Sequence, residues 1–138
     1  MDPVVHFEIP VGDLAAAKQF YQTSFGWEVQ SFDMPGGGTY TTATSAPVGE
    51  LSIPLKPGAI NGALIDRNEP VGGGEAKLTA PIVTIQVDSV EGAIKKVEDA
   101  GGKALTAKQT IPEMGDYAYV ADPDGNVLGL WHDHKWTY

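Results

Sequence analysis

The stretch VVHFEIPVGD, residues 4 to 13, alternates as a β-strand does, which sets His6 and Glu8 on one face, two positions apart. At about 3.3 Å per residue their backbones stand roughly 6.5 to 7 Å apart, within reach of each other through side chains or one water. A carboxylate beside an imidazole raises the imidazole pKa and fixes its tautomer, so the pair could act as a general base near neutral pH. The competing readings are that His6 contacts a ligand without chemistry, or that His6 bonds within a pocket wall while Glu8 points to solvent. At the other end of the chain, WHDHKWTY sets His132 and His134 on one strand face with Asp133 opposite. Two imidazoles can hold a transition metal weakly, but an exposed strand end is the expectation there. The glycines at 72 to 74 are followed by neither Lys-Ser nor Lys-Thr and open no helix, so they do not read as a phosphate loop. No Ser-His-Asp order, nucleophile elbow or dinucleotide fingerprint supports a hydrolase or dehydrogenase.

Two copies of one plan position these residues. HFEIPVGDLAAAKQFYQTSFGWEV (6 to 29) and IVTIQVDSVEGAIKKVEDAGGKAL (82 to 105) each read as strand, capped helix, glycine stop and second strand. In the first, Asp13 is the N-cap, Leu14, Ala17, Tyr21 and Phe25 make the apolar stripe, Gly26 ends the helix and Trp27 opens the next strand. In the second, Asp88 and Glu91 suggest a capping box, Val90, Ile94 and Val97 form the stripe, and Gly101 and Gly102 end it. Both copies close alike: TYTTATSAP and YAYVADPDGN run from strand to turn, and each is followed by a glycine-containing strand, INGALI and NVLGLWHD. Residues 46 to 74 are rich in Gly and Pro, and EPVGGGEAKLTAP reads as a linker or mobile loop.

A chain of 138 residues favours one domain and buries about two-thirds of its unfolded surface. Module one is placed at about 1–68, the linker at 69–79 and module two at 80–138. The absence of cysteine removes disulfides, thiolate metal ligands and a cysteine nucleophile. A net charge of −9 opposes binding to phosphate backbones, so no nucleic-acid partner is expected. With no basic-apolar leader and no run of about twenty apolar residues, no membrane partner is expected and a cytoplasmic location is.

The doubled βαβββ plan, the HFEIPVGDLAAAKQFY opening, the DPDGN turn and the closing LGLW resemble the vicinal oxygen chelate superfamily. This is the glyoxalase, bleomycin-resistance and extradiol dioxygenase group, and the likeness is especially to its lactoylglutathione-lyase-related branch. The resemblance covers essentially the whole chain. It implies an α+β fold in which two βαβββ modules form a curved mixed sheet with a concave cup. Metal-dependent members place ligands in the first and last strand of each module. Here His6 matches the first position, Ile82 stands at its counterpart, Gly129 at the usual Glu, and Gly62 at the corresponding position of module one. With three of four positions lost, His6 is the metal ligand if there is one, and no cofactor is expected. Glycine in place of Glu would leave room for an apolar ligand.

Alternation then points His6, Glu8 and Pro10, Ile82, Thr84 and Gln86, and Val127, Gly129 and Trp131 into that cup. Phe7, Ile9, Val11, Val83, Ile85, Val87, Leu128 and Leu130 face the helices instead. Tyr40, Tyr117, Trp27, Trp131 and Trp136 could stack on an aromatic ligand, and Trp131 with Tyr117 or Tyr119 is expected to line the pocket. The cup is thus expected to be a mostly apolar pocket with a few polar anchors. Three functions follow: a metal-independent protein that binds and rearranges a small organic molecule with His6 and Glu8; a metal-dependent lyase or dioxygenase using His6; and a protein that sequesters an antibiotic or metabolite unchanged. Family habit suggests a homodimer.

Overall fold

A computed structural model describes residues 1–35 and 37–135. The elements run β1 (Val4–Val11), α1 (Leu14–Phe25), β2 (Glu28–Asp33), β3 (Thr39–Thr44), β4 (Asn61–Asp66), β5 (Ile82–Gln86), α2 (Val90–Asp99), β6 (Lys103–Ala104), β7 (Gln109–Ile111), β8 (Gly115–Ala121) and β9 (Val127–Asp133). The strands form one mixed sheet in the order β2-β3-β4-β1-β5-β9-β8-β6, with β7 paired to β8. This is the α+β architecture of two βαβββ modules. Within each module the first strand lies parallel to the last (β1 with β4, β5 with β9), and the modules join edge to edge where β1 runs antiparallel to β5.

Local chemistry explains the helix ends. Asp13 is extended and its carboxylate accepts from Ala16 N at 3.0 Å, and Gly26 closes α1 at φ 69°, where a side chain would be strained. The cap of α2 is Ser89, not Asp88: its Oγ accepts from Gly92 N at 3.1 Å. Val90, Ile94 and Val97 pack with Val87, Ala118, Val120 and Leu130 beneath module two. In α1 only part of the expected stripe is used. Ala17 and Tyr21 reach the cluster of Val11, Val29, Ala43 and Leu64, whereas Leu14 and Phe25 remain exposed.

A third cluster lies on the opposite face of the sheet. Val71 and Leu78, from the segment between β4 and β5, are buried against Ile82 and Tyr119, with Ile65, Leu105, Tyr117 and Val127 around them. The expected mobile linker is therefore a strap laid across the sheet. Val71 N donates to Ala76 O at 2.9 Å and Gly74 N to Val71 O at 3.2 Å, which folds the glycine run back on itself. Gly72 sits at φ 64° with Thr106 so near that an added Cβ would come within 2.8 Å of its methyl. Only glycine allows that approach.

Candidate functional site

Register decides which side chains share the cup. His6 stands opposite Thr84 and Glu8 opposite Ile82, while Thr84 lies beside Gly129, Gln86 beside Trp131, and Gly129 beside Tyr119. Paired residues point to one face, so His6, Glu8, Ile82, Thr84, Gln86, Gly129, Trp131, Tyr117 and Tyr119 all belong to the cup. Gly62 does not. It pairs with Phe7, and a Cβ built on it would fall on the Phe7 carbonyl oxygen and ring, on the helix side. The cup position of β4 is Ala63, partner of Glu8, just as Gly129 partners Thr84, the repeat's counterpart of Glu8. A one-residue slip in strand alternation exchanges the faces.

Two phenols reach the central strand from opposite flanks. Tyr119, three strands away on β8, sets its OH 2.8 Å from both oxygens of Glu8 and donates to the carboxylate. Curvature of the sheet and the missing side chain at Gly129 let the ring cross. From β3, on the other side of β4, Tyr40 OH lies 3.0 Å from His6 Nε2. Tyr117 packs edge-on against Tyr119 with ring centres 6.2 Å apart. Tyr40 stands outside the expected trio of Trp131, Tyr117 and Tyr119, and alternation along β3 is the sequence signal that points it to the cup. Trp136 lies outside the described residues.

Burial sets the electrostatics. Glu8 is 8% exposed, and its carboxyl is pushed above the ordinary range by desolvation, with the Tyr119 hydrogen bond opposing. No cation pairs with it among the described residues. Desolvation likewise raises the phenols of Tyr40, Tyr117 and Tyr119, and the charge of Glu8 adds to each shift. His6 moves the other way: burial lowers it to about 4, against a backbone hydrogen bond at Asn61. The expected rise of His6 beside a carboxylate is thus reversed, because desolvation by burial dominates. His6 is neutral at neutral pH.

The room expected at the glycines is already taken. A Cβ on Gly129 would lie 2.6 Å from Thr84 Oγ1, and the strap fills the floor near Ile82. Two open concavities lie outside the cup, one beside α1 at Pro10, Ala16 and Phe20, the other under the central strands at Phe7, Trp27 and Val83. Trp131 leans over Gly115, toward the end of β9 remote from Glu8. Thr84 Oγ1 is buried without a hydrogen-bond partner among the described residues. Such a hydroxyl costs about 1 to 3 kcal/mol, so Thr84→Val is expected to stabilise the fold by about 1 kcal/mol in urea unfolding. A loss instead would mean that the hydroxyl has a partner in solution. The tail histidines are held structurally, His132 Nδ1 at 3.1 Å from Val87 O and His134 Nε2 at 3.1 Å from Asp116.

The family described as bleomycin resistance protein-like N-terminal matches residues 4–39. CFP32 of Mycobacterium tuberculosis, which carries a provisional glyoxylase name, is 29% identical over 131 residues, 93% of this chain. This chain spans 44% of that protein's length. Among solved structures, a Streptomyces coelicolor methylmalonyl-CoA epimerase bound to 2-nitronate-propionyl-CoA superimposes with a TM-score of 0.66 at 17% identity, covering 99% of this chain and 97% of the epimerase. A glyoxalase I variant from Zea mays gives 0.64 at 23% identity, covering 99% of this chain and 44% of its own.

The chain has the fold of these glyoxalase and epimerase structures, and its N-terminal segment is similar in sequence to the bleomycin resistance protein-like family.

At the metal positions that the resemblance implies, the cup offers His6, Ala63, Ile82 and Gly129, of which only the imidazole is a donor. Glu8 adds a carboxylate, but its oxygens face Tyr119 and His6 Nε2 faces Tyr40. No group of three His, Cys, Asp or Glu able to hold a metal ion occurs among the described residues. A catalytic divalent site takes about three protein groups, so this donor set does not fit one. No helix among the described residues is long and apolar enough to cross a membrane.

Proposed function

We propose that the cup binds a small organic molecule and that Glu8, steadied by Tyr119, exchanges a proton with it without a divalent metal. The observation that carries this reading is a carboxylate 8% exposed whose hydrogen bonds come from one phenol, with no cation beside it among the described residues. A buried, uncompensated acid weakens a fold, and shifted acids in concave sites tend to be functional. Raised above the ordinary range, its carboxyl is a stronger base than a surface carboxylate. The matching substrate is a carbon acid next to a carbonyl, with neutral His6 and Tyr40 alongside to hold the oxygen. The provisional glyoxylase name of CFP32 supports an enzyme, and the bleomycin-resistance match supports a second reading, capture of a ligand without chemistry.

Small ketones incubated with the protein in D2O distinguish these. Deuterium entering next to the carbonyl, and lost in Glu8→Gln, is the expected result. Saturable binding with unlabelled ligand recovered would replace catalysis by sequestration. Stoichiometric uptake of Mn, Fe, Co, Ni or Zn, abolished in His6→Ala, would restore the metal-dependent lyase or dioxygenase.

A further inference from the structure

Resting on the reading of the cup as a ligand site, we propose that the strap is a built-in competitor: Val71 and Leu78 occupy the subsite of the ligand's apolar body, and the ligand is an uncharged molecule that displaces them. Both side chains come from a segment whose composition favours chain freedom, with four glycines or prolines among residues 70 to 74, yet they are 7% and 2% exposed. Their neighbours are cup residues of both modules, Ile65 from one and Tyr119 and Val127 from the other. Tyr119 touches the strap cluster and also donates to Glu8, so the apolar subsite adjoins the polar pair. Departure of two aliphatic side chains would leave a space matching a branched or aromatic body of similar size, with one polar group at Glu8.

Charge narrows the class. None of the residues that β1, β3, β4, β5, β8 and β9 direct into the cup is a lysine or arginine, and Lys103, at the sheet edge on β6, is exposed. An anion entering there would meet Glu8 without a counter-charge, on a chain of net −9. Opening of the strap would turn on Gly72 and Gly73, both at positive φ.

Exposed Lys77, next to buried Leu78, reports the state of the strap to trypsin. The probes are 2-naphthol and 2-naphthoate, with binding followed at the NMR signals of Tyr119 and Trp131 in the intact chain. The expected result is that 2-naphthol binds saturably and speeds cleavage after Lys77 at least fivefold, that naphthoate at equal concentration does neither, and that Leu78→Ala is cut at the faster rate without probe. Naphthol bound at Tyr119 with cleavage unchanged or slowed would overturn the strap proposal and leave the cup reading intact. Equal or tighter binding of naphthoate would overturn the charge assignment. If neither probe binds, the inference falls, and the cup reading is decided separately by the D2O experiment.

Discussion

Gly62→Ala is expected to destabilise the protein by about 3 kcal/mol or more, measured as a fall in the urea midpoint. The added methyl would meet the carbonyl oxygen of Phe7, a backbone atom in the parallel β1–β4 pairing that joins the two ends of module one. A side chain can turn aside, but a carbonyl held in a ladder cannot without lost hydrogen bonds. Gly129→Ala provides the contrast. There the methyl meets Thr84 Oγ1 at 2.6 Å, a side-chain atom, so Gly129→Ala should be rescued by Thr84→Gly in a double-mutant cycle with a coupling of about 1 kcal/mol or more. Phe7→Ala should give Gly62→Ala no comparable rescue, because the carbonyl stays. Tolerance of Gly62→Ala would mean that β1 and β4 are not in the register that puts Ala63, and not Gly62, beside Glu8.

That register marks the boundary of what the sequence makes legible. The doubled βαβββ plan is readable because each element carries its own local signature: Asp13 and Gly26 bracket α1, and Asp122 ties the turn to β9 by accepting from Asp124 N and Asn126 N. The cup faces of β1, β5 and β9 follow from alternation anchored on His6 and Gly129. β4 offers no such anchor. INGALI has small or apolar residues on both faces, so its phase is fixed only by pairing with β1 and β3.

The strap was illegible for a related reason. Glycine-rich composition reports the freedom of the isolated chain, whereas burial of Val71 and Leu78 depends on surfaces supplied by β4, β5, β8 and β9. The link from Tyr119 to Glu8 spans 111 positions in sequence, and no local pattern announces it. The exchange of Asp88 for Ser89 at the α2 cap is smaller, a choice between adjacent acceptors settled by which one reaches Gly92 N.

Stability against pH should separate the two buried groups of β1, because they act with opposite sign. His6 titrates at about 4 when folded and near 6.5 when unfolded, so between these values the unfolded chain holds the extra proton. Its contribution is present above pH 6.5 and is lost as pH falls toward 4, by at most about 3 kcal/mol for a shift of this size. Glu8 is raised by folding from an ordinary value of 4.5, so its contribution is present below pH 4.5 and is lost as pH rises through the raised value. The phenols of Tyr40, Tyr117 and Tyr119 are raised too and stay neutral throughout. The two windows overlap above pH 4.5, so in the wild type the rise from His6 and the decline from Glu8 offset each other, and single variants separate them. Glu8→Gln removes that decline while keeping an amide in contact with Tyr119. Urea midpoints between pH 4 and 9 should show this variant still losing stability below pH 6.5, yet more stable than wild type by about 1 kcal/mol or more at pH 8. If Glu8→Gln is the less stable protein at pH 8, the carboxylate is compensated in the fold, and a structural anchor explains it better than a base held for a substrate. His6→Asn is the complementary variant: it should remove the loss toward low pH and leave only the decline with rising pH from Glu8, which ties each slope to one side chain.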